Sequence, residues 1–151
     1  MTSTEVHDHV QQYGRNLQII LWIMAIHSFL VGIGLILQFD VVMKIMGFGM
    51  CREKFFPAQG GVFHIVMALG YVLPAKNLEK YQCLALFSIL VKALATFFLL
   101  TYYIFFEQIW TVLASGIIDG IMCLAVFYFY KQYINTFQKQ DMDNREITVE
   151  S

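Results

Sequence analysis

Four long stretches of this chain carry almost no charge, and they restrict its fold more than any other feature of the sequence. A helix needs about 20 mostly apolar residues to cross the hydrocarbon core of a bilayer. Each stretch reaches about that length; two contain no Asp, Glu, Lys or Arg, and the other two contain one charged residue each. The stretches are residues 17–39, 55–73, 81–106 and 109–130.

The composition excludes an ordinary soluble domain. Charged residues make up 14% of the chain and hydrophobic residues 58%, whereas soluble domains carry about 25% charged residues. None of the four stretches alternates apolar and polar residues, as a transmembrane strand would. We therefore predict an all-α integral membrane protein that folds as a four-helix transmembrane bundle. The net charge of −1 also provides no basic surface for nucleic acid.

The bundle is expected to form one domain, residues 17–130, between two polar ends. Residues 1–16 are predicted to be an N-terminal cytosolic segment. Residues 131–151 are predicted to be a polar cytosolic tail that extends the last helix briefly and then frays. The turns at residues 74–80 and 107–108 are short, so the second, third and fourth helices are expected to be antiparallel neighbours.

The first connection, residues 40–54, is unusual because much of it is apolar. The string VVMKIMGFGM is too hydrophobic for a loop in water. We expect it to lie in the membrane interface, with Lys44 reaching the lipid headgroups. A moving lid is the alternative.

Lysine and arginine predict the orientation, because cytoplasmic loops carry an excess of both. With four spans, both ends of the chain lie on the same side of the membrane. That side holds six cations and the other holds three, so we predict that both termini are cytosolic. The six are Arg15, Lys76, Lys80, Lys131, Lys139 and Arg145, and the three are Lys44, Arg52 and Lys54.

Each predicted span contains one ionisable residue, namely His27, His64, Lys92 or Asp119. A charge at the centre of a membrane helix costs at least about 2.5–3.5 kcal/mol, so such residues usually face the interior of the protein. Small residues recur at helical spacing on the same faces, which indicates helix–helix contact. We expect all four side chains to point into the bundle.

Lys92 and Asp119 are expected to meet. Counting 1.5 Å per residue from their shared turn places them at depths of roughly 22 and 18 Å. Opposite charges in contact keep both groups ionised. Two interpretations remain open: the pair is structural and fixes the register of its two helices, or it lines a polar pocket for a ligand or proton together with His27 and His64.

Two pairs of glycines predict close helix packing. Gly116 and Gly120 form a GxxxG motif, which suits contact within this bundle or, alternatively, dimerisation. Gly60 and Gly61 share a face with His64 and indicate a second contact.

No pattern predicts a metal or a cofactor, and we expect neither. The three cysteines form no CxxC pair, and the sequence lacks a phosphate loop, zinc-ligand spacing and a Ser/His/Asp set. His7 and His9 on a terminal segment would make a poor metal site.

The run FFPAQGGVFH at residues 55–64, followed by Gly70 and Tyr71, resembles the small DoxX-like four-helix membrane proteins. One Lys in the third helix and one Asp in the fourth belong to the same pattern, which covers roughly residues 17–130. The resemblance implies a compact four-helix bundle and transfers no catalytic residue. A second likeness is to EXPERA-type sterol-binding bundles, in which inward acidic residues surround an apolar ligand; here only Asp119 would serve.

Two classes of function follow from a polar centre in an apolar bundle. The first is a bundle that binds a lipophilic ligand or assists transport or assembly, with the bilayer, a lipophilic small molecule, a protein or a second copy of the chain as partner. The alternative is a membrane enzyme of the EXPERA-like isomerase type, acting on a lipid or sterol-like substrate with Asp119 and a histidine as acid and base. We favour the non-enzymatic class, because the sequence permits but does not require catalysis. Autonomous transport is disfavoured because inverted repeats are missing.

Overall fold

The computed structural model describes residues 3–48 and 53–150, and every regular element in these ranges is a helix. The long elements match the four apolar stretches, which confirms the predicted all-α fold. The helices are α1 (Ser3–Leu37), α2 (Asp40–Ile45), α3 (Phe55–Lys76), α4 (Gln82–Phe105) and α5 (Trp110–Glu150).

Helices α1, α3, α4 and α5 are each long and apolar enough to cross a membrane. Large apolar side chains cover the outside of the bundle; Phe97 is 71% exposed and Leu94 is 69% exposed. A soluble monomer rarely exposes such a continuous apolar surface. The prediction of a multi-pass membrane protein is therefore supported by both the helix lengths and the surface.

Helix α1 packs against both α3 and α5, and α4 packs mainly against α5. The antiparallel neighbours α4 and α5 were expected from their short turn. Helices α3 and α4 are also joined by a short connection, but they contact each other only lightly. The space beside α3 is taken by α1, which makes the most extensive contact in the bundle with it.

Glycine explains why α1 and α3 approach so closely. A Cβ atom added to Gly32 would lie 2.8 Å from the carbonyl oxygen of Gly61, and one added to Gly61 would lie 2.6 Å from the oxygen of Gly32. Any larger residue at either position would clash with backbone. These two glycines therefore mark the crossing point of the two helices.

Helix α1 begins at Ser3, and α5 continues to Glu150, beyond the brief extension expected of the last helix. The two helical extensions support each other. Tyr133 of α5 is buried, and its ring lies 3.3 Å from a Cβ atom placed on Gly14. Further out, Gln140 is hydrogen-bonded to His7 at 3.0 Å. These contacts join segments that are far apart in the sequence, so no local sequence pattern could predict them.

The opposite end of the bundle is closed by α2 and the residues around it. Helix α2 has no buried residue, and Val41 is 70% exposed. Gly47 has a positive φ of 87° and packs beside Trp110. Thr111 Oγ1 donates a hydrogen bond of 2.6 Å to the carbonyl of Met46. Residues 49–52 of this predicted interfacial segment lie outside the described residues.

Candidate functional site

Lys92 of α4 and Asp119 of α5 form an ion pair in the centre of the bundle. Lys92 Nζ donates to Asp119 Oδ1. Lys92 is 3% exposed and Asp119 is 6% exposed, so lipid reaches neither side chain. In a medium of low dielectric constant each charge offsets the desolvation penalty of the other. The structure thus brings together the two charges that the sequence predicted to meet.

Small residues allow α4 and α5 to approach closely on either side of this pair. A Cβ atom on Gly116 would lie 3.1 Å from the side chain of Leu100, and one on Gly120 would lie 3.3 Å from Thr96. Both glycines therefore face α4 rather than the outside of the bundle. The structure places the GxxxG motif in an internal contact, next to the residue that carries the buried carboxylate.

Tyr71 brings α3 to the same centre. Its side chain is 1% exposed, and the ammonium of Lys92 lies 5.9 Å from the centroid of its ring. An aromatic face at this distance attracts a cation. The proximity of Tyr71 to Lys92 depends on how α3 and α4 are arranged.

His64 lies in the contact between α3 and α1. It is half-buried, and its Nδ1 is 3.4 Å from Ser28 Oγ of α1. Its Cβ lies 3.3 Å from a Cβ placed on Gly32, so the close crossing of the helices positions the imidazole. Ser28, which is 2% exposed, was missed by the sequence analysis. A serine adjacent to His27 was the available signal.

His27 of α1 has no comparable partner. Its ring is half-buried, and Nε2 is buried without a hydrogen bond to any described residue. Of the four ionisable residues predicted to point into the bundle, Lys92 and Asp119 are the two that form a direct pair in the described part of the chain.

A groove on the outside of the bundle leads to His27. It lies between α1 and α5, has a volume of about 600 Å³ and opens toward the lipid. Its lining is almost wholly apolar, and His27 supplies the one polar side chain among the described residues. The lining residues are Ile23, Ile26, His27, Leu30, Val31, Ile118, Ile121 and Met122.

The other predicted packing residues occupy different environments. Gly61 is at the α1–α3 crossing, whereas a Cβ on Gly60 would meet only the end of Leu35, at 4.0 Å. Gly34 of α1, seven residues after His27, is exposed and has open space around it. Gly32, about one helical turn after Ser28, is the residue of α1 that makes the close contact.

No group of three or more potential metal ligands occurs among the described residues.

No family model, curated protein or solved structure matches this chain. The site must therefore be interpreted from its own geometry.

Proposed function

We propose that this multi-pass membrane protein binds a lipophilic molecule in the groove between α1 and α5. The observation that carries the proposal is a lipid-facing apolar groove lined by His27, whose buried Nε2 has no hydrogen-bond partner among the described residues. Binding sites for small molecules are usually apolar concavities of about 300–1,000 Å³ with few polar groups. The groove has this size and this character.

The state of His27 also indicates the chemistry of the ligand. A buried polar atom without a hydrogen bond costs about 1–3 kcal/mol. A ligand with one hydroxyl or carbonyl group at its end recovers that energy when the imidazole turns toward the groove and bonds to it. An otherwise apolar molecule with one such group, as in sterols and other lipid alcohols or ketones, therefore fits best.

The Lys92–Asp119 pair supports binding rather than acid–base catalysis. A general acid or base must have its proton-carrying atom within reach of the substrate. Asp119 instead accepts a hydrogen bond from Lys92 and is 6% exposed. We infer that the pair holds α4 against α5 and thereby keeps the α5 wall of the groove in place.

A blocked groove tests this proposal. Ile121 is 62% exposed and lines the groove, so Ile121→Trp fills the groove without disturbing the core. Leu124 is 70% exposed on the same helix and does not line the groove, which makes Leu124→Trp the matched control. Mass spectrometry of molecules retained on gently purified protein is the measurement.

We expect a stoichiometric lipophilic molecule on the parent and on Leu124→Trp, and its loss from Ile121→Trp. His27→Leu is expected to lower the retention of hydroxyl- or carbonyl-bearing ligands relative to pure hydrocarbons. Equal retention by the parent and Ile121→Trp would rule out the groove as the binding site.

We further propose that both termini are cytosolic and that the chain is a DoxX-like bundle. The excess of six cations over three on the side of the termini supports the orientation. The run FFPAQGGVFH at residues 55–64 supports the relationship to DoxX-like proteins. Its glycine at position 61 makes the α1–α3 crossing, which gives part of that run a structural role.

A further inference from the structure

A second concave site lies at the end of the bundle that carries both termini. There the apolar part of α1 meets its N-terminal extension. It is a cavity of about 330 Å³ between α1 and the turn from α3 to α4. Arg15 and Lys76 line it from opposite elements. It shares no residue with the groove that contains His27, so the inference is independent of the proposed function.

The depth of this cavity corresponds to the lipid headgroups. Arg15 stands two positions before the first apolar stretch, and Lys76 is the last residue of α3. Both side chains therefore lie where the apolar part of a membrane helix ends. Phosphates of the adjoining leaflet occupy this level, and basic pockets between transmembrane helices bind anionic headgroups there.

Both basic side chains are available to an anionic ligand. Arg15 and Lys76 are exposed, and neither has a carboxylate within ion-pair distance among the described side chains. Glu79 also lines the cavity, so its three charged residues leave one net positive charge. This balance suits a monoanionic phosphodiester, and the carboxylate of Glu79 can accept a hydrogen bond from a headgroup hydroxyl.

The rest of the cavity is held in place before any ligand arrives. Its floor includes Leu78 and Tyr133, each 4% exposed, and Tyr133 packs against Gly14. The side-chain oxygen of Asn77 accepts a hydrogen bond of 3.0 Å from the backbone N–H of Lys80. This bond leaves the amide group of Asn77 as a donor at the cavity wall.

We propose that this cavity binds the headgroup of an anionic, hydroxyl-bearing phospholipid. Arg15 and Lys76 contact the phosphodiester, Asn77 donates to it, and Glu79 accepts from the headgroup hydroxyl. The bound lipid would join the extension of α1 to the α3–α4 turn at the membrane surface.

The test is binding of dioctanoyl phosphatidylglycerol to the full chain in mild detergent, measured by native mass spectrometry. Each cation near a membrane surface contributes about 1 kcal/mol, so Arg15→Gln/Lys76→Gln should weaken binding about thirty-fold. The charge-conserving Arg15→Lys/Lys76→Arg variant should keep most of it. Lys131→Gln/Lys139→Gln removes two cations of the same side outside the cavity and is the matched control, with binding unchanged.

Three further compounds identify what is recognised. Dioctanoyl phosphatidylcholine and phosphatidylethanolamine should bind more weakly than phosphatidylglycerol, and glycerol phosphate should not compete. Equal binding of the zwitterionic lipids, or equal loss in the two Gln double variants, would overturn the proposal. Full competition by glycerol phosphate would also overturn it, because the ligand would then be a soluble phosphate.

Discussion

At the scale of single residues, the centre of the molecule is a buried charge pair surrounded by less polar partners. Lys92 and Asp119 neutralise each other, and the ring of Tyr71 lies beside the ammonium. Three of the four spanning helices thus contribute to one electrostatic contact. Because lipid cannot replace a lost partner, the two charges should depend on each other strongly.

This dependence can be measured with a double-mutant cycle. Lys92→Met or Asp119→Leu alone leaves one buried charge without its partner, a loss of about 3–5 kcal/mol in soluble proteins and less in some membrane proteins. Lys92→Met/Asp119→Leu should recover much of that loss in a detergent unfolding assay. If the two single losses simply add, the contact contributes no coupling energy.

At the scale of helices, two kinds of glycine contact organise the bundle. Gly32 and Gly61 bring α1 and α3 into backbone contact, while Gly116 and Gly120 make room for Leu100 and Thr96 of α4. Close approach increases van der Waals contact, which drives helix association in a solvent as apolar as the helices themselves. Each contact predicts a different tolerance to substitution.

The α1–α3 crossing should reject even one methyl group. Gly61→Ala places a Cβ atom 2.6 Å from the backbone oxygen of Gly32, so the helices must separate, at a cost of about 1–3 kcal/mol. Gly60→Ala is the matched control, because its Cβ meets nothing closer than 4.0 Å. We expect Gly60→Ala to be neutral or stabilising by about 0.5–1 kcal/mol through helix propensity. Thermal unfolding in detergent compares the two, and equal midpoints would contradict this crossing.

The α4–α5 contact should reject a large side chain. Gly116→Leu or Gly120→Leu would push α4 away from α5 and lower the thermal stability in detergent, since overpacking typically costs about 1–3 kcal/mol. Gly70 has no neighbour within 4 Å of an added Cβ, so Gly70→Leu is the control. If the variants at Gly116 and Gly120 have the same unfolding midpoint as the control and the parent, the motif does not face α4.

At the scale of the whole molecule, α1 and α5 are longer than the other two spanning helices and extend together beyond them on the side of the termini. The proposed headgroup cavity lies at the base of this extension, and α2 lies at the opposite end. The two sides of the membrane therefore meet different surfaces. The orientation decides which of these surfaces faces the cytosol.

Reporter fusions can determine that orientation. A reporter that is active only in the cytosol, placed after Ser151, should be active, and a glycosylation acceptor inserted near Gly49 should be modified. Both expectations follow from the six-to-three distribution of cations. An unmodified acceptor at Gly49 together with an inactive reporter at Ser151 would reverse the assignment.

The number and position of the spanning helices could be predicted from the sequence. The length of an apolar stretch is a local property, and it can be compared directly with the thickness of the bilayer. The contact of Lys92 with Asp119 was also predictable, since a short turn makes their helices adjacent and similar depths place both charges together. The short turn fixes which helices are neighbours, so the number of residues between each charge and the turn is enough to predict the contact.

Other features were decided only by the tertiary structure. Each residue turns a helix by about 100°, so the rotation of each helix about its own axis decides whether Gly60 or Gly61, and Gly32 or Gly34, lies at the crossing. The unpartnered nitrogen of His27, the groove beside it and the contacts between the extensions of α1 and α5 depend on packing between segments far apart in the chain. Periodicity along one helix carries no information about which neighbour covers each face, and that neighbour determines which polar atoms keep a partner.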